Sequence, residues 1–98
     1  MLVTVYHISP RKNRNSILQY GLIPKGKKEG RIKYKPRIYV SINKDDLAFD
    51  YVNYENIDCW TFSIDQKFLK QDTNSSSKNH FYIEVWIEKD NVKLECSY

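Results

Sequence analysis

Cysteine, glycine, proline and long apolar runs are all scarce in this chain. The two cysteines, Cys59 and Cys96, stand at no recognisable metal-ligand spacing, so no metal site is expected. With no export signal they read as free thiols of a reducing compartment. No apolar run approaches the ~20 residues that span a bilayer, which excludes a helical membrane anchor. The first residues lack the charged region, long apolar stretch and small-residue cleavage site of a secretory leader. The expectation is a cytoplasmic protein with no membrane partner. Three glycines and three prolines leave few residues to punctuate turns. There is no internal repeat and no linker, so residues 1–98 are read as a single domain.

What is abundant is aromatic and basic. Eight Tyr, four Phe and two Trp in a chain that is 41% hydrophobic exclude a disordered protein. The many Lys, Asn, Ile and Tyr suit an AT-rich coding sequence, as in a low-GC bacterium or its phage. The net charge of +4 hides an asymmetry: residues 11–37 hold ten Lys or Arg and one acid, Glu29. The rest of the chain is net acidic. One end should therefore attract phosphates or acidic surfaces.

Leu2 to His7 is apolar and β-branched and predicts a strand, broken by Ser9-Pro10. Asn13 or Asn15 caps a short helix through Ile17, Leu18 and Tyr20, and Gly21 ends it. Lys25 to Pro36, "KGKKEGRIKYKP", has no hydrophobic period and predicts a mobile basic loop. Arg37 to Ile42 is a second strand. Asn43 then caps a helix over 45–52, with Leu47, Ala48, Tyr51 and Val52 on its apolar face. Cys59 to Ile64 alternates as a third strand, and Asp65 to Lys70 forms a helical turn. "QDTNSSSKN", Gln71 to Asn79, reads as a mobile polar loop. Phe81 to Ile87 is the last long strand, with a short terminal strand at Val92 to Leu94. Helices early and strands late predict an α+β domain with a small, split, largely antiparallel sheet and two short helices.

Three residues stand out by type and order: His7, Tyr39 and Glu84, each on or at the end of a predicted strand. Serine follows two residues after the first two, in "YHIS" and "IYVS". "YHISPRKNRNSILQYGLIP", "RIYVSINKDDLAFDYV" and "EVWIEKDNVKL" together resemble the ADP-ribosyltransferase superfamily, of the diphtheria-toxin and poly(ADP-ribose) polymerase kind, as a minimal or degenerate member. Members place a His on the first strand, a Tyr on a second and a Glu or a substitute on a later one. The prolines of the turn often found beyond the last strand are missing here. The resemblance implies that fold and NAD as a substrate. It also implies that His7, Ile8 and Ser9 grip the dinucleotide, Tyr39 and Ser41 floor the nicotinamide site, and Glu84 acts on the ribose.

The chemistry suits those residue types. An imidazole can hydrogen-bond a ribose hydroxyl, a tyrosine offers a stacking face, and a carboxylate stabilises the oxocarbenium-like state as the nicotinamide leaves. Lys and Arg of the basic segment can meet the pyrophosphate or an acceptor. Plainer readings stand beside these: a strand-end histidine, a core tyrosine and a surface carboxylate. His80 has the same strand parity as Glu84 and competes for its position; a histidine there would leave binding without transfer. Residues 75–77, "SSS", read as loop. Three functions remain open: an ADP-ribosyltransferase modifying a protein or nucleic acid; an inactive module that binds a nucleotide or inhibits a host protein; and a basic nucleic-acid-binding domain.

Overall fold

The computed structural model describes residues 1–29, 31–47, 56–75 and 77–98. Its strands are β1 (Leu2–Pro10), β2 (Lys25–Glu29), β3 (Ile32–Ser41), β4 (Ile57–Asp65), β5 (Lys70–Gln71), β6 (His80–Ile83) and β7 (Lys93–Ser97). Helix α1 is Arg14–Tyr20, and the described part of α2 is Lys44–Leu47. The remainder of the helix expected over 45–52 lies outside the described residues. The seven strands form one open sheet in the order β5-β6-β3-β1-β4-β7, with β2 added to β3 alone. Every strand pair is antiparallel, as an α+β domain of this pattern requires.

Strand alternation sorts the two faces. Val5 of β1, Ile38 and Val40 of β3, Trp60, Phe62 and Ile64 of β4 and Ile83 of β6 turn to one face and close over Ile17 of α1. Ile8 and Ile57 form a smaller apolar cluster with Tyr6 on the other. α1 begins at Asn13, whose side chain caps no backbone amide and instead donates to Ser9 Oγ at 3.2 Å. It ends at Gly21, where φ is 82° and a Cβ would stand 2.1 Å from the Ile87 carbonyl oxygen. Only glycine fits that close approach.

Several expectations are corrected. Ser9-Pro10 does not break β1: the ladder continues through Ser9↔Asp58 and Pro10↔Ile57, because a terminal proline forfeits one donor only. The basic loop is a two-stranded ribbon, β2 with β3, irregular between Lys25 and Lys27. Backbone pairing runs from Lys25↔Arg37 to Glu29↔Ile32. β6 is shorter than expected and ends at Ile83; Ile87 makes an isolated bridge to Leu22, so Glu84 follows the strand. The described residues of the polar loop make specific hydrogen bonds. Ser75 Oγ meets His80 Nδ1, while Ser77 Oγ and Asn79 Nδ2 donate to Asp46 at 2.8 and 2.6 Å.

Candidate functional site

β1 and β3 part almost as soon as they meet. A single residue pair, Tyr6↔Ser41, joins them, whereas β1 and β4 pair along the whole of β1. His7 is the next residue into this fork, and its Nδ1 lies 2.7 Å from the carbonyl oxygen of Tyr39. A carbonyl only accepts, so Nδ1 carries the proton of this bond. The imidazole is packed among its neighbours although its edge is reached by solvent. Burial lowers its pKa below 6.5, against the opposing pull of the Tyr39 carbonyl. His7 is therefore neutral at pH 7, and Nε2 is left as an acceptor.

A pocket of about 170 Å³ opens beside it, lined by His7, Ser9, Asn13, Ser16, Leu22 and Lys25 among others. Its polar groups come from β1 and from the side of α1 that faces β1. Arg37 and Ile38 close the side formed by β3. Sequence reasoning named His7 and Ser9 and placed Lys25 in a basic segment able to meet a pyrophosphate, but missed Asn13, Ser16 and Arg37. The available signal was spacing: Asn13, Ser16 and Ile17 fall on one side of a helix, and Ile17 is its buried residue.

The other expected residues lie elsewhere around the fork. Because Ile38 and Val40 enter the core, Tyr39 projects from the opposite face, and its side chain is 49% exposed. His7 thus meets the backbone of Tyr39, not its ring. That ring stands 6.3 Å from Tyr82, tilted at 57°, and the Arg37 guanidinium sits 4.1 Å over the Tyr82 ring. Glu84 belongs to this second face. Lys70 Nζ donates to its Oε1 at 2.6 Å, and that bond holds the carboxyl below its usual range, with Arg37 and Lys35 adding to the effect.

Ser41 is fully buried and committed to a turn: Oγ donates to the Asn43 carbonyl at 2.8 Å and accepts from the Asn43 amide at 3.0 Å. His80 pairs with Ser41 at the far end of the β3–β6 ladder from Arg37, and its ring is fastened to Ser75. Ile8 is buried against Ile57 and stands opposite Cys59. The structure therefore gathers His7 and Ser9 on one side of the fork and Tyr39 and Glu84 on the other. Ser41 and His80 are drawn into structural bonds. No group of three or more His, Cys, Asp or Glu suited to a metal occurs among the described residues.

Comparison of the chain with family models, with curated proteins and with solved structures finds no match.

Proposed function

We propose that this protein binds NAD across the fork between β1 and β3 and acts as a small ADP-ribosyltransferase-like protein of the cytoplasm. The observation that carries the reading is the His7 Nδ1 bond to the Tyr39 carbonyl. It fixes the tautomer and leaves a neutral Nε2 to accept a ribose hydroxyl proton, as a nucleoside site at this place needs.

The pocket supports a divided ligand. At about 170 Å³ it is smaller than the ~300–1,000 Å³ of sites that enclose a whole drug-sized ligand. It takes one nucleoside end, leaving the pyrophosphate near Lys25 and Arg37. The nicotinamide end then lies on the opposite side, against the exposed ring of Tyr39. Glu84, ionised and on the same face as Tyr39, is the carboxylate available to the ribose. In transfer, the bond from C1′ to the nicotinamide nitrogen breaks and its electron pair neutralises the ring. Glu84 stabilises the positive charge that develops at C1′ until an acceptor nucleophile attacks.

A second reading has its own support. Lys70 already neutralises Glu84 at 2.6 Å, which weakens the charge stabilisation that transfer needs. A nucleotide-binding module without transfer, acting by sequestration or by inhibiting a partner, fits that ion pair.

Calorimetry with NAD tests the binding, and labelled-NAD transfer in lysate tests the chemistry. NAD binding that is lost in His7→Ala, with label transfer lost in Glu84→Gln, supports the first reading. Binding without transfer supports the second. No NAD binding by the folded wild type refutes both.

A further inference from the structure

We propose that the β2–β3 ribbon and the adjoining Tyr39–Tyr82 surface bind single-stranded nucleic acid. The surface combines the exposed ring of Tyr39 and the half-buried ring of Tyr82 beside it with cations that form no ion pair among the described residues. Residues 25–37 hold seven Lys or Arg and one acid; six of the seven lie on β2 and β3, which pair with each other, and among the described residues β2 pairs with no other strand. Among the described residues Lys25, Arg31, Lys33 and Lys35 make no ion pair. Of the three basic residues at 11–14, Arg11 and Arg14 are both spent on Asp58, which leaves Lys12. The positive field thus belongs mostly to the ribbon.

The ribbon leads directly onto the aromatic face. Tyr39 is half exposed, and its ring neighbours that of Tyr82. Arg37 lies over Tyr82, and Lys35 is close enough to act on Glu84, whose own partner is Lys70. Phosphates satisfy the cations, and splayed bases stack on tyrosine and guanidinium planes. An acidic protein or a duplex would use the charge and leave the rings idle, because a duplex keeps its bases stacked inside. This inference does not rest on NAD binding, although the two surfaces share Lys25, Arg37 and Tyr39, and its test omits NAD.

The probe is a fluorescein-labelled oligothymidylate about fifteen nucleotides long, with oligouridylate of equal length as a second arm, read by anisotropy. Binding is expected to weaken with added salt by about 0.7 in log–log slope for each phosphate neutralised. Lys33→Ala with Lys35→Ala should reduce the steepness of that slope by about 1.4. Tyr82→Ala should weaken binding about tenfold without changing the slope, while Tyr82→Phe keeps full affinity. If Tyr82→Ala loses its native circular dichroism, Tyr39→Ala at the exposed neighbour gives the same reading. Equal affinity for DNA and RNA arms places recognition on phosphates and bases; preference for one adds a sugar contact, and either supports the proposal. Failure of the folded wild type to bind at low salt overturns it. So does displacement by duplex or polyglutamate as efficient as by unlabelled single strand.

Discussion

Arg14 grips Asp58 with two nitrogens: Nε donates to Oδ2 at 2.8 Å and Nη2 to Oδ1 at 2.5 Å. The Asp58 side chain is fully buried. Ser97 Oγ donates to it at 2.9 Å, and Arg11 Nε approaches at 3.4 Å. One carboxylate on β4 therefore ties the start of α1 and the C-terminal strand β7 to the sheet. Since α1 supplies one wall of the pocket, this cluster also positions Asn13 and Ser16.

Asp58 makes the fold sensitive to acid. The Arg14 hydrogen bonds, with Ser97 and Arg11, outweigh burial and lower its pKa from 3.8 to about 2. The unfolded chain takes up the proton first as pH falls. The stabilisation is therefore complete above 3.8 and lost on descent through about 2. A shift of this size corresponds to about 2 kcal/mol. Urea unfolding should show the wild type losing about that much across the window, and Asp58→Asn, destabilised by ~2 kcal/mol already at neutral pH, losing correspondingly less. Parallel pH profiles for the two proteins would contradict this assignment.

Gly21→Ala should cost at least ~2 kcal/mol, because φ is 82° and the residue is one to which L side chains are ill suited. The added Cβ would meet the Ile87 carbonyl oxygen at 2.1 Å and the Lys89 amide at 2.7 Å. Relief requires moving the Leu22–Ile87 bridge, and Leu22 lines the pocket. Thermal melts should show the loss, whereas Ser16→Ala, on the same pocket, should stay within ~0.5 kcal/mol of wild type.

Cys59 and Cys96 stand opposite each other on β4 and β7, yet they should differ in reactivity. Cys59 is fully buried, and burial first, with Cys96 next, pushes its thiol up to about 12. The thiolate is the nucleophile, so Cys59 should resist iodoacetamide in the folded protein. Mass spectrometry should find one adduct, on Cys96, under native conditions and two in denaturant. Two native adducts forming at similar rates would rule out the burial of Cys59.

The sequence pattern revealed those parts of the fold that bury a face. Leu2 to His7 and Cys59 to Ile64 are both strands, the second within two residues of its expected ends and the first running three residues further, to Pro10. The side-chain cap expected of Asn13 or Asn15 is not made by Asn13, which donates to Ser9 instead, whereas the Gly21 stop of α1 was legible as a local backbone requirement. The β2–β3 ribbon was not, because neither strand gains a hydrophobic period from pairing with the other. Asp58 carried an unused signal: it shares the parity of Trp60, Phe62 and Ile64, and an acid on a core face requires cationic partners. For the site, type and order picked out His7 and Tyr39. Only the register Tyr6↔Ser41 shows that His7 faces the strand from the side of Val40 and that Tyr39 turns away.

His7 should set the pH dependence of both stability and NAD binding. Its pKa is lowered from 6.5 by burial, with the Tyr39 carbonyl opposing. The unfolded chain therefore accepts a proton that the folded protein resists. Stability contributed by the neutral ring is complete above 6.5 and declines as pH falls below it toward the folded value. Binding follows the folded value instead. Between pH 7 and 8 Nε2 is an acceptor throughout, so NAD affinity should be flat in that range. It should fall once the ring is protonated, because an imidazolium has no lone pair to offer a hydroxyl. His7→Ala should remove the pH dependence and weaken NAD binding about tenfold, the worth of one hydrogen bond in a partly desolvated site. Calorimetry from pH 5 to 8 on both proteins reads each effect. A wild-type affinity that rises on acidification would place a protonated donor at this position and overturn the assignment of the tautomer.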